Sequence, residues 1–217
     1  MSDNGTLWPL ETPSQEGLAD GVVLLRNFCG SDAASLLQEI DTIAAVAPFR
    51  QLTVPGGHTM SVAMTNTGTF GWTSDRAGYR YTTNDPLSDR PWQPMPRSFL
   101  ALAELAATEA GFAPFTPNAC LINRYAVGAK LSLHQDKDEL DYTHPIVSVS
   151  LGLPATFLLG SLQRSDTPRR IRIESGDVMV WGGPARLIYH GVAPIRPGSH
   201  PLTGSFRINL TFRCVMH

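Results

Sequence analysis

A succession of short apolar or alternating runs fills the chain from residue 119 onward, and it restricts the fold more than any other sequence feature. Turn-forming residues separate the runs, which predicts strands rather than long helices. Eight strands in succession are typical of a β sandwich or barrel. The 19 glycines and 17 prolines among 217 residues also suit a turn-rich β protein. The runs read CLINRYA, KLSLHQD, IVSVSL, ATFLLG, RRIRIE, VMVWG, RLIYH and SFRINLTFR.

Two predicted helices precede these strands, and both are expected to cover a sheet. The first follows a short strand, Val22–Arg26, begins near Ser31 and ends at Pro48. The second spans residues 96–110, with Gly111 as its C-terminal stop. Their predicted apolar faces are Leu36, Leu37, Ile40, Ile43 and Ala44 in the first helix, and Leu102, Leu105 and Ala106 in the second.

Charge and cysteine content narrow the protein class. A formal net charge of −2 argues against a strong sequence-independent grip on nucleic acid, although it allows a local basic patch. Three cysteines without a C-x-x-C motif predict neither a disulfide framework nor a thiolate zinc site, which favours a cytoplasmic protein. The N-terminus lacks the basic start and apolar run of a signal peptide. Residues 142–163 carry no charge, but Pro145 and Pro154 interrupt them, so we predict two buried strands rather than a membrane helix.

Residues 49–95 form a polar segment rich in glycine, threonine and aromatic residues. Pro55-Gly56-Gly57 marks a turn between two short strands. Two interpretations stay open for so long a segment: a functional or mobile region, or an ordinary loop whose aromatic side chains enter the main core. The aromatic residues in question are Trp72, Tyr79, Tyr81 and Trp92.

His134 and Asp136 form an H-x-D pair that strand geometry places on one face, where both can bind one metal ion. A second histidine would complete the two-histidine, one-carboxylate set of non-haem Fe(II) oxygenases. His190 is the best candidate, because it follows the apolar run RLIY and precedes Gly191. An H-x-D pair also occurs on ordinary surfaces, and a structural metal would use the same ligands. The other candidates for the third ligand are His58, His144, His200 and His217.

The final predicted strand places two arginines on one face and apolar side chains on the other. Arg207, Asn209, Thr211 and Arg213 share the polar face, and the strand contains no acid. If that face is interior, its guanidinium groups require an anion, and a dicarboxylate suits two arginines. The alternative is a solvated outer face. On another predicted strand, Asn123 and Tyr125 could add hydrogen bonds to the same anion.

Together these motifs resemble the AlkB family of alkylation-repair dioxygenases, which depend on Fe(II) and 2-oxoglutarate. The similarity extends over about residues 48–213. Its specificity comes from the H-x-D pair, the later histidine and the R-x-N-x-x-x-R strand, together with the segment before them. The matching stretches are PFRQ, GGHTMSVAMTN, GWTSDRAGYRY, ACLINRYAVGAKLSLHQDKDE, PIVSVSLGLPA, GDVMVWGG, YHG, HPLTG and RINLTFR.

The resemblance implies a mainly β fold with flanking helices, a double-stranded β-helix or jelly roll. It implies one domain over residues 1–217, with a nucleotide-recognition lid at 49–95 and a jelly-roll catalytic core at 119–213. By the same resemblance, Fe(II) is held by His134, Asp136 and His190, and O₂ takes a remaining metal position. The cosubstrate 2-oxoglutarate meets Arg207 and Tyr125 at its far carboxylate, and Arg213, Asn123 and Asn209 at the carboxylate beside its keto group.

The implied reaction is oxidative demethylation of N-alkylated bases such as 1-methyladenine and 3-methylcytosine, with release of formaldehyde, as direct-reversal DNA repair. The implied substrate is single-stranded or double-stranded alkylated DNA, with RNA as a further substrate, and the expected enzyme is a monomer without membrane association. Trp72 and Tyr79 are expected to contact the flipped base, and Asp138 to offset the positive charge of the lesion. Arg164, Lys130 and Lys137 are expected to contact the strand.

Two alternatives use the same residues differently. An oxygenase acting on a protein or a small molecule would need the metal ligands but neither the GWTSDRAGYRY segment nor Asp138. A non-catalytic sensor of damaged bases would need no complete metal site, so the presence of all three ligands disfavours it.

Overall fold

A computed structural model describes residues 14–216, so the N-terminal segment examined for a signal peptide lies almost wholly outside the described residues, as does His217. Residues 14–216 form a mainly β fold with two α-helices, α1 (Ala33–Val46) and α2 (Arg97–Glu109), and two 3₁₀ turns (Gly30–Asp32 and Gly183–Ala185). The strands are β1 (Ser14–Ala19), β2 (Val22–Arg26), β3 (Arg50–Thr53), β4 (Thr59–Gly68), β5 (Gly71–Asp75), β6 (Gly78–Thr82), β7 (Ala119–Tyr125), β8 (Leu131–His134), β9 (Ile146–Gly152), β10 (Ala155–Leu159), β11 (Arg169–Ile173), β12 (Val178–Trp181), β13 (His190–Val192) and β14 (Arg207–Arg213).

The strands form three sheets whose pairings are antiparallel. The large sheet has the order β1-β2-β12-β9-β14-β7-β4-β3, and the small sheet has the order β11-β10-β13-β8. Strands β5 and β6 form a separate two-stranded hairpin. This strand-rich arrangement of a large and a small sheet agrees with the predicted jelly roll. Within residues 14–216, no helix combines the length and the apolar character needed to cross a bilayer.

The central strands of the large sheet are buried on both faces, and β14 shows why. Ile208, Leu210 and Phe212 pack with the helices in one apolar cluster. The alternate residues of the strand face the small sheet, where a second apolar cluster contains Tyr125 and Phe157. The helices, the large sheet and the small sheet therefore form three successive layers.

The helices occupy nearly the predicted ranges, but the predicted face of α2 is wrong in one residue. The buried residues of α1 are Ala33, Leu36, Ile40 and Ile43, and those of α2 are Phe99, Ala103, Ala106 and Ala107. Leu105 is 54% exposed. The position of Phe99 explains this, because its ring packs edge-on against Phe212, with 6.0 Å between ring centroids, and Leu105 lies about 120° away from Phe99 around the helix. Gly111, with φ of 84°, ends the helix as predicted.

Seven of the eight predicted runs from residue 119 onward contain strands along most of their length, and residues 142–163 contain the two buried strands β9 and β10. The run RLIYH is the exception, because its strand begins at His190 instead of ending there. A 3₁₀ turn at Gly183–Ala185 precedes the run. Arg186 then donates hydrogen bonds to the carbonyl oxygens of Asp136 and His144, so the start of the run is held as a loop.

The segment 49–95 contributes to two different parts of the molecule. Strands β3 and β4 extend the large sheet beside β7, joined by the predicted Pro55-Gly56-Gly57 turn. The β5–β6 hairpin follows as a separate sheet. Trp92 is 4% exposed, and its indole N–H donates to the carbonyl oxygen of Thr82. For this aromatic residue the structural interpretation is therefore correct, because its side chain is buried inside the protein.

Candidate active site

His134, Asp136 and His190 converge at the open end of the space between the two sheets. Their potential ligand atoms all lie within 4.8 Å of one another, and they form the metal-binding group found among the described residues. Strand β8 ends at His134 and pairs with β13, so that His134 lies opposite His190. Asp136 lies two residues beyond the strand, and its Oδ1 is 3.5 Å from His134 Nε2.

The two imidazoles are oriented by backbone carbonyl groups. The carbonyl oxygen of Ser132 lies 2.9 Å from His134 Nδ1, and that of Ile188 lies 3.1 Å from His190 Nδ1. Each Nδ1–H can donate to its carbonyl oxygen, which leaves Nε2 unprotonated and directed at Asp136. Gly191 lets the strands approach closely here, because a Cβ atom at this position would lie 2.6 Å from the carbonyl oxygen of Leu131. The donor set and its backing therefore fit a divalent metal ion such as Fe(II).

Burial and the neighbouring charges shift the pKa values of all three groups. Burial and the neighbouring His134 lower the pKa of His190 to about 4, so His190 is neutral near pH 7. Burial alone would raise the pKa of Asp136, but Arg213 and the two imidazoles hold it well below its usual range. Burial also opposes protonation of His134, but its hydrogen bond with Asp136 and the carboxylate charge outweigh burial and raise its pKa. The site thus presents a carboxylate at neutral pH.

The other histidine candidates within the described residues lie elsewhere. His58 is exposed, and the half-buried His200 pairs with Gly204 in an isolated antiparallel β-bridge. His144 lies 3.7 Å from a carboxylate oxygen of Asp141 and beside the ring of Phe115. The choice of His190 over these residues agrees with the geometry.

Arg207 places a buried guanidinium group in the interior. It is 1% exposed, its Nη2 donates to Ser150 Oγ at 3.1 Å, and its guanidinium lies over the ring of Tyr125. Its Nε and Nη1 atoms are buried without a hydrogen-bond partner among residues 14–216, and so is Asn123 Oδ1. Burial lowers the pKa of Arg207. A buried guanidinium with open N–H groups and no acid partner is costly, so the pocket fits an anionic ligand, and the solvated outer face is wrong.

The remaining predicted anion-binding residues lie on the same interior face. β14 pairs with β7, placing Arg207 opposite Tyr125 and Asn209 opposite Asn123. Asn123 Nδ2 donates to Asn209 Oδ1 at 3.1 Å. Arg213 differs from Arg207, because its Nη2 donates to Asp136 Oδ2 at 2.7 Å and its Nε lies 3.3 Å from Glu139 Oε1.

One cavity of about 630 Å³ is lined by the metal triad and by the predicted anion-binding residues, and the β5–β6 hairpin forms one of its walls. Trp72 and Tyr79 on this hairpin have nearly parallel rings, with centroids 5.6 Å apart and an interplanar angle of 16°. The indole Nε1 of Trp72 donates to Asp138 Oδ2 at 2.8 Å. An aromatic surface next to an exposed carboxylate can receive a flat cationic group.

Three predicted basic residues lie at the rim of this cavity. Lys130, Lys137 and Arg164 are exposed and line the opening. The guanidinium of Arg164 lies over the ring of Tyr189, 5.8 Å from its centroid. The rim therefore carries a small basic patch on a protein whose formal net charge is −2.

Sequence reasoning missed a second group of polar residues behind the metal ligands. Tyr81 and Arg186 each donate a hydrogen bond to Glu139, and Arg213 lies beside the same carboxylate. The stretches GWTSDRAGYRY and HQDKDE contain Tyr81 and Glu139, so the signal was adjacent to the motifs used. Nothing in the local spacing indicated that two residues 58 positions apart would meet. The ring of His190 also packs against Phe157 and Trp181. The apolar run RLIY before His190 gave no indication of these two partners.

Comparisons with known proteins agree with this geometry. The family model of the 2OG-Fe(II) oxygenase superfamily matches residues 21–213. The alpha-ketoglutarate-dependent dioxygenase AlkB of Salmonella typhimurium is 60% identical over 203 residues, which cover 94% of this chain and 94% of that protein. The AlkB protein of Escherichia coli is 58% identical over 201 residues, 93% of each chain.

A solved structure supports the same assignment at the level of the fold. OsALKBH1 superimposes with a TM-score of 0.83 at 30% sequence identity, covering 93% of this chain and all of that chain. One assignment accounts for the metal triad, for the interior arginine and for the extent of these similarities. The chain belongs to the 2OG-Fe(II) oxygenase superfamily and, within it, to the AlkB family of alpha-ketoglutarate-dependent dioxygenases.

Proposed function

We propose that this protein is an oxidative demethylase that repairs N-alkylated bases, such as 1-methyladenine and 3-methylcytosine, in DNA and also accepts RNA. The observation that carries the proposal is the convergence, in one cavity, of a metal triad, a buried arginine with open N–H groups and a stacked Trp–Tyr pair beside a carboxylate. The last feature is specific to base recognition, since an oxygenase for a protein or a small molecule has no need of it.

Fe(II) would be held by Nε2 of His134 and His190 and by the carboxylate of Asp136. The cosubstrate 2-oxoglutarate would be held by Arg207 and Tyr125, with Arg213, Asn123 and Asn209 at its other carboxylate. With both groups and O₂ bound, the site supplies the oxidising power that hydroxylates the alkyl carbon, and the product loses formaldehyde to restore the base. The unpaired Arg207 atoms support the cosubstrate assignment.

The residues of the β5–β6 hairpin would receive the damaged base after it leaves its stack. Trp72 and Tyr79 offer an aromatic surface that compensates for lost base stacking. Trp72 Nε1 engages Oδ2 of Asp138, so Oδ1 of this exposed carboxylate can face the base. A negative charge at this position stabilises a cationic lesion more than a neutral base. The hairpin within residues 49–95 would therefore serve as the nucleotide-recognition lid of a core formed by residues 119–213.

The small number of basic residues at the cavity rim bears on whether single-stranded or double-stranded DNA is preferred. Lys130, Lys137 and Arg164 at the rim would contact the strand. So small a set predicts a short footprint and a preference for single-stranded over double-stranded DNA, because extrusion of a base from a single strand costs less.

A monomer suffices for this reaction. Three buried free cysteines support a location in the reducing cytoplasm.

The test is mass spectrometry of a short single-stranded oligonucleotide that carries one 3-methylcytosine. The protein is incubated with the oligonucleotide, Fe(II), 2-oxoglutarate, ascorbate and air, beside a His190→Ala variant. Loss of the methyl group with the intact protein alone supports both the reaction and the metal site. Consumption of 2-oxoglutarate with an unchanged oligonucleotide would favour a protein or small-molecule substrate. No consumption would favour a non-catalytic sensor of damaged bases.

A further inference from the structure

A chain of polar contacts joins the β5–β6 hairpin to the metal ligand Asp136. It begins at the hydroxyl of Tyr81, which donates to Glu139 Oε1 at 2.5 Å. Arg213 Nε lies 3.3 Å from the same oxygen, and Arg213 Nη2 donates to Asp136 Oδ2 at 2.7 Å. Three contacts thus connect a residue of the proposed lid with a residue of the metal triad.

Glu139 is the centre of this chain. The residue is 4% exposed, and both of its carboxylate oxygens have partners. Oε1 accepts from Tyr81 and lies beside Arg213, and Oε2 accepts from Arg186 Nη2 at 3.1 Å. Two buried arginines therefore face two buried acids, Glu139 and Asp136, which balances the charge of the group. Removing one acid would leave an arginine in the interior without its partner.

Arg186 fixes the same loop from the opposite side. Its Nη1 donates to the carbonyl oxygen of Asp136 at 2.8 Å, and its Nε donates to that of His144 at 3.0 Å. The backbone of the metal-binding loop is thus held by Arg186. The carboxylate of Asp136 accepts hydrogen bonds from Nε and Nη2 of Arg213, and Glu139 Oε1 lies 3.3 Å from the same Nε.

A second hydrogen bond joins the hairpin to this loop, but its acceptor is an exposed residue outside the chain of contacts that leads to the metal triad. Trp72 Nε1 donates to Asp138 Oδ2, and Asp138 is exposed at the cavity mouth. The two contacts involve neighbouring parts of the same loop, but only that of Tyr81 leads to Arg213 and Asp136. This difference provides a matched control.

We propose that Glu139 and Tyr81 are positioning residues that align Arg213 and the carboxylate of Asp136, so that the proposed lid and the metal site are mechanically coupled. The inference rests on the proposed function only in taking Asp136 as a metal ligand. Orientation of metal ligands by such outer partners commonly changes metal affinity by about 10–100-fold. Removal of the Tyr81 hydroxyl should therefore change the metal site without any nucleic acid being present.

The experiment measures binding of Mn(II), as a substitute for Fe(II), and of 2-oxoglutarate by calorimetry in the absence of DNA. The visible absorption of the Fe(II)–2-oxoglutarate complex, recorded without O₂, provides a spectroscopic readout. Tyr81→Phe should weaken binding of Mn(II) or 2-oxoglutarate by about fivefold, the effect of one hydrogen bond, and shift the absorption band. Glu139→Gln should weaken it by about 10–100-fold. Tyr79→Phe and Trp72→Phe should leave both affinities within about twofold of the wild-type values.

Each outcome decides the inference. If Tyr81→Phe lowers thermal stability but leaves the affinities and the absorption band unchanged, the contact is structural and the inference is wrong. It is also wrong if Tyr79→Phe or Trp72→Phe has the same effect as Tyr81→Phe. Because Tyr81→Phe removes one partly buried hydroxyl, the test stands even if Glu139→Gln does not fold. Failure of the wild-type protein to bind Mn(II) would instead overturn the metal assignment, and with it both proposals.

Discussion

The guanidinium of Arg207 lies in the interior with two nitrogen atoms that have no partner, so its free energy depends on an anion. Arg207→Ala should raise the KM for 2-oxoglutarate by about 100-fold, since hydrogen bonds between charged groups are worth about 1.5–3 kcal/mol each. Affinity for the oligonucleotide should change by less than about twofold. Steady-state kinetics and fluorescence anisotropy measure the two quantities, and Arg170→Ala is an exposed arginine control. Equal effects of Arg207→Ala on both quantities would contradict the cosubstrate assignment.

Asp138 is expected to distinguish lesions by their charge. Asp138→Asn keeps an oxygen that accepts the hydrogen bond from Trp72 Nε1 but removes the negative charge. Demethylation of cationic 3-methylcytosine should slow by about tenfold, whereas repair of a neutral ethenoadenine should change much less. Single-turnover rates on two oligonucleotides that differ only in the lesion provide the measurement. Proportional losses on both lesions would show that charge is not the basis of the preference.

The metal ligands and Arg207 were predictable, because short spacings and strand alternation carry their signal within a few residues. His134 and Asp136 are two residues apart, and Arg207 belongs to a strand with regular alternation. Tyr81 and Glu139 were not predictable, since their roles depend on a contact across 58 residues. A buried acid between two arginines has no local pattern, because its partners come from three separate segments of the chain.

Helix α2 packs through one aromatic residue and several alanines, which concentrates its contribution to stability. Phe99 is fully buried against Phe212, whereas Leu105 is 54% exposed. Phe99→Ala should lower the free energy of unfolding by about 3–5 kcal/mol. Leu105→Ala should change it by less than about 0.5 kcal/mol. Urea denaturation followed by circular dichroism tests the pair, and a similar loss in both variants would mean that α2 is rotated from the described orientation.

The segment between β6 and α2 is attached to β3 through the ion pair of Arg50 and Asp85. Burial would raise the pKa of Asp85, but its hydrogen bonds with Arg50 and the Leu87 N–H hold it below its usual range. A lowered carboxyl pKa stabilises the fold above the unfolded value and loses this contribution as the pH falls through the folded value. Asp85→Asn should therefore destabilise the protein at pH 7 by about 2 kcal/mol.

The difference between wild type and Asp85→Asn should shrink as the pH falls below about 4. Thermal unfolding monitored between pH 7 and pH 3.5 measures this trend. A difference that stays constant across this range would mean that the variant acts through packing and not through the carboxylate charge.

Strands from residue 119 onward could be predicted because each alternates or is apolar over several residues, while β4 could not be assigned to the large sheet. Its buried residues include Thr65, Asn66 and Thr67, which are 0–3% exposed and alternate between the two faces of the strand. Polar side chains in such positions conceal the usual signal of a core strand. The start of β13 was predicted too early for the converse reason. The residues before His190 are apolar like those of a strand, but they form a loop that Arg186 holds in place.

Binding of metal and cosubstrate should stabilise the molecule as a whole, since the two sheets enclose both sites. Ligands at 100 times their Kd add about 2.7 kcal/mol to the free energy of unfolding. For a protein of this length, Mn(II) with 2-oxoglutarate should raise the Tm by about 5–10 °C. Differential scanning fluorimetry with and without EDTA measures the effect. His190→Ala should lose most of the increase, and an undiminished increase in this variant would place the metal elsewhere.

The order of strands in the large sheet has a consequence for biosynthesis. β14, the last strand of the described chain, lies between β9 and β7 in the middle of that sheet. While a ribosome is still adding residues 207–213, the metal ligands are already present, but β7 and β9 have open edges that can pair with other chains. Arg207, Asn209 and Arg213 all arrive with β14. A nascent chain released before this point would carry His134, Asp136 and His190 but would lack Arg207, Asn209 and Arg213, so β14 must be synthesised before the cavity can form.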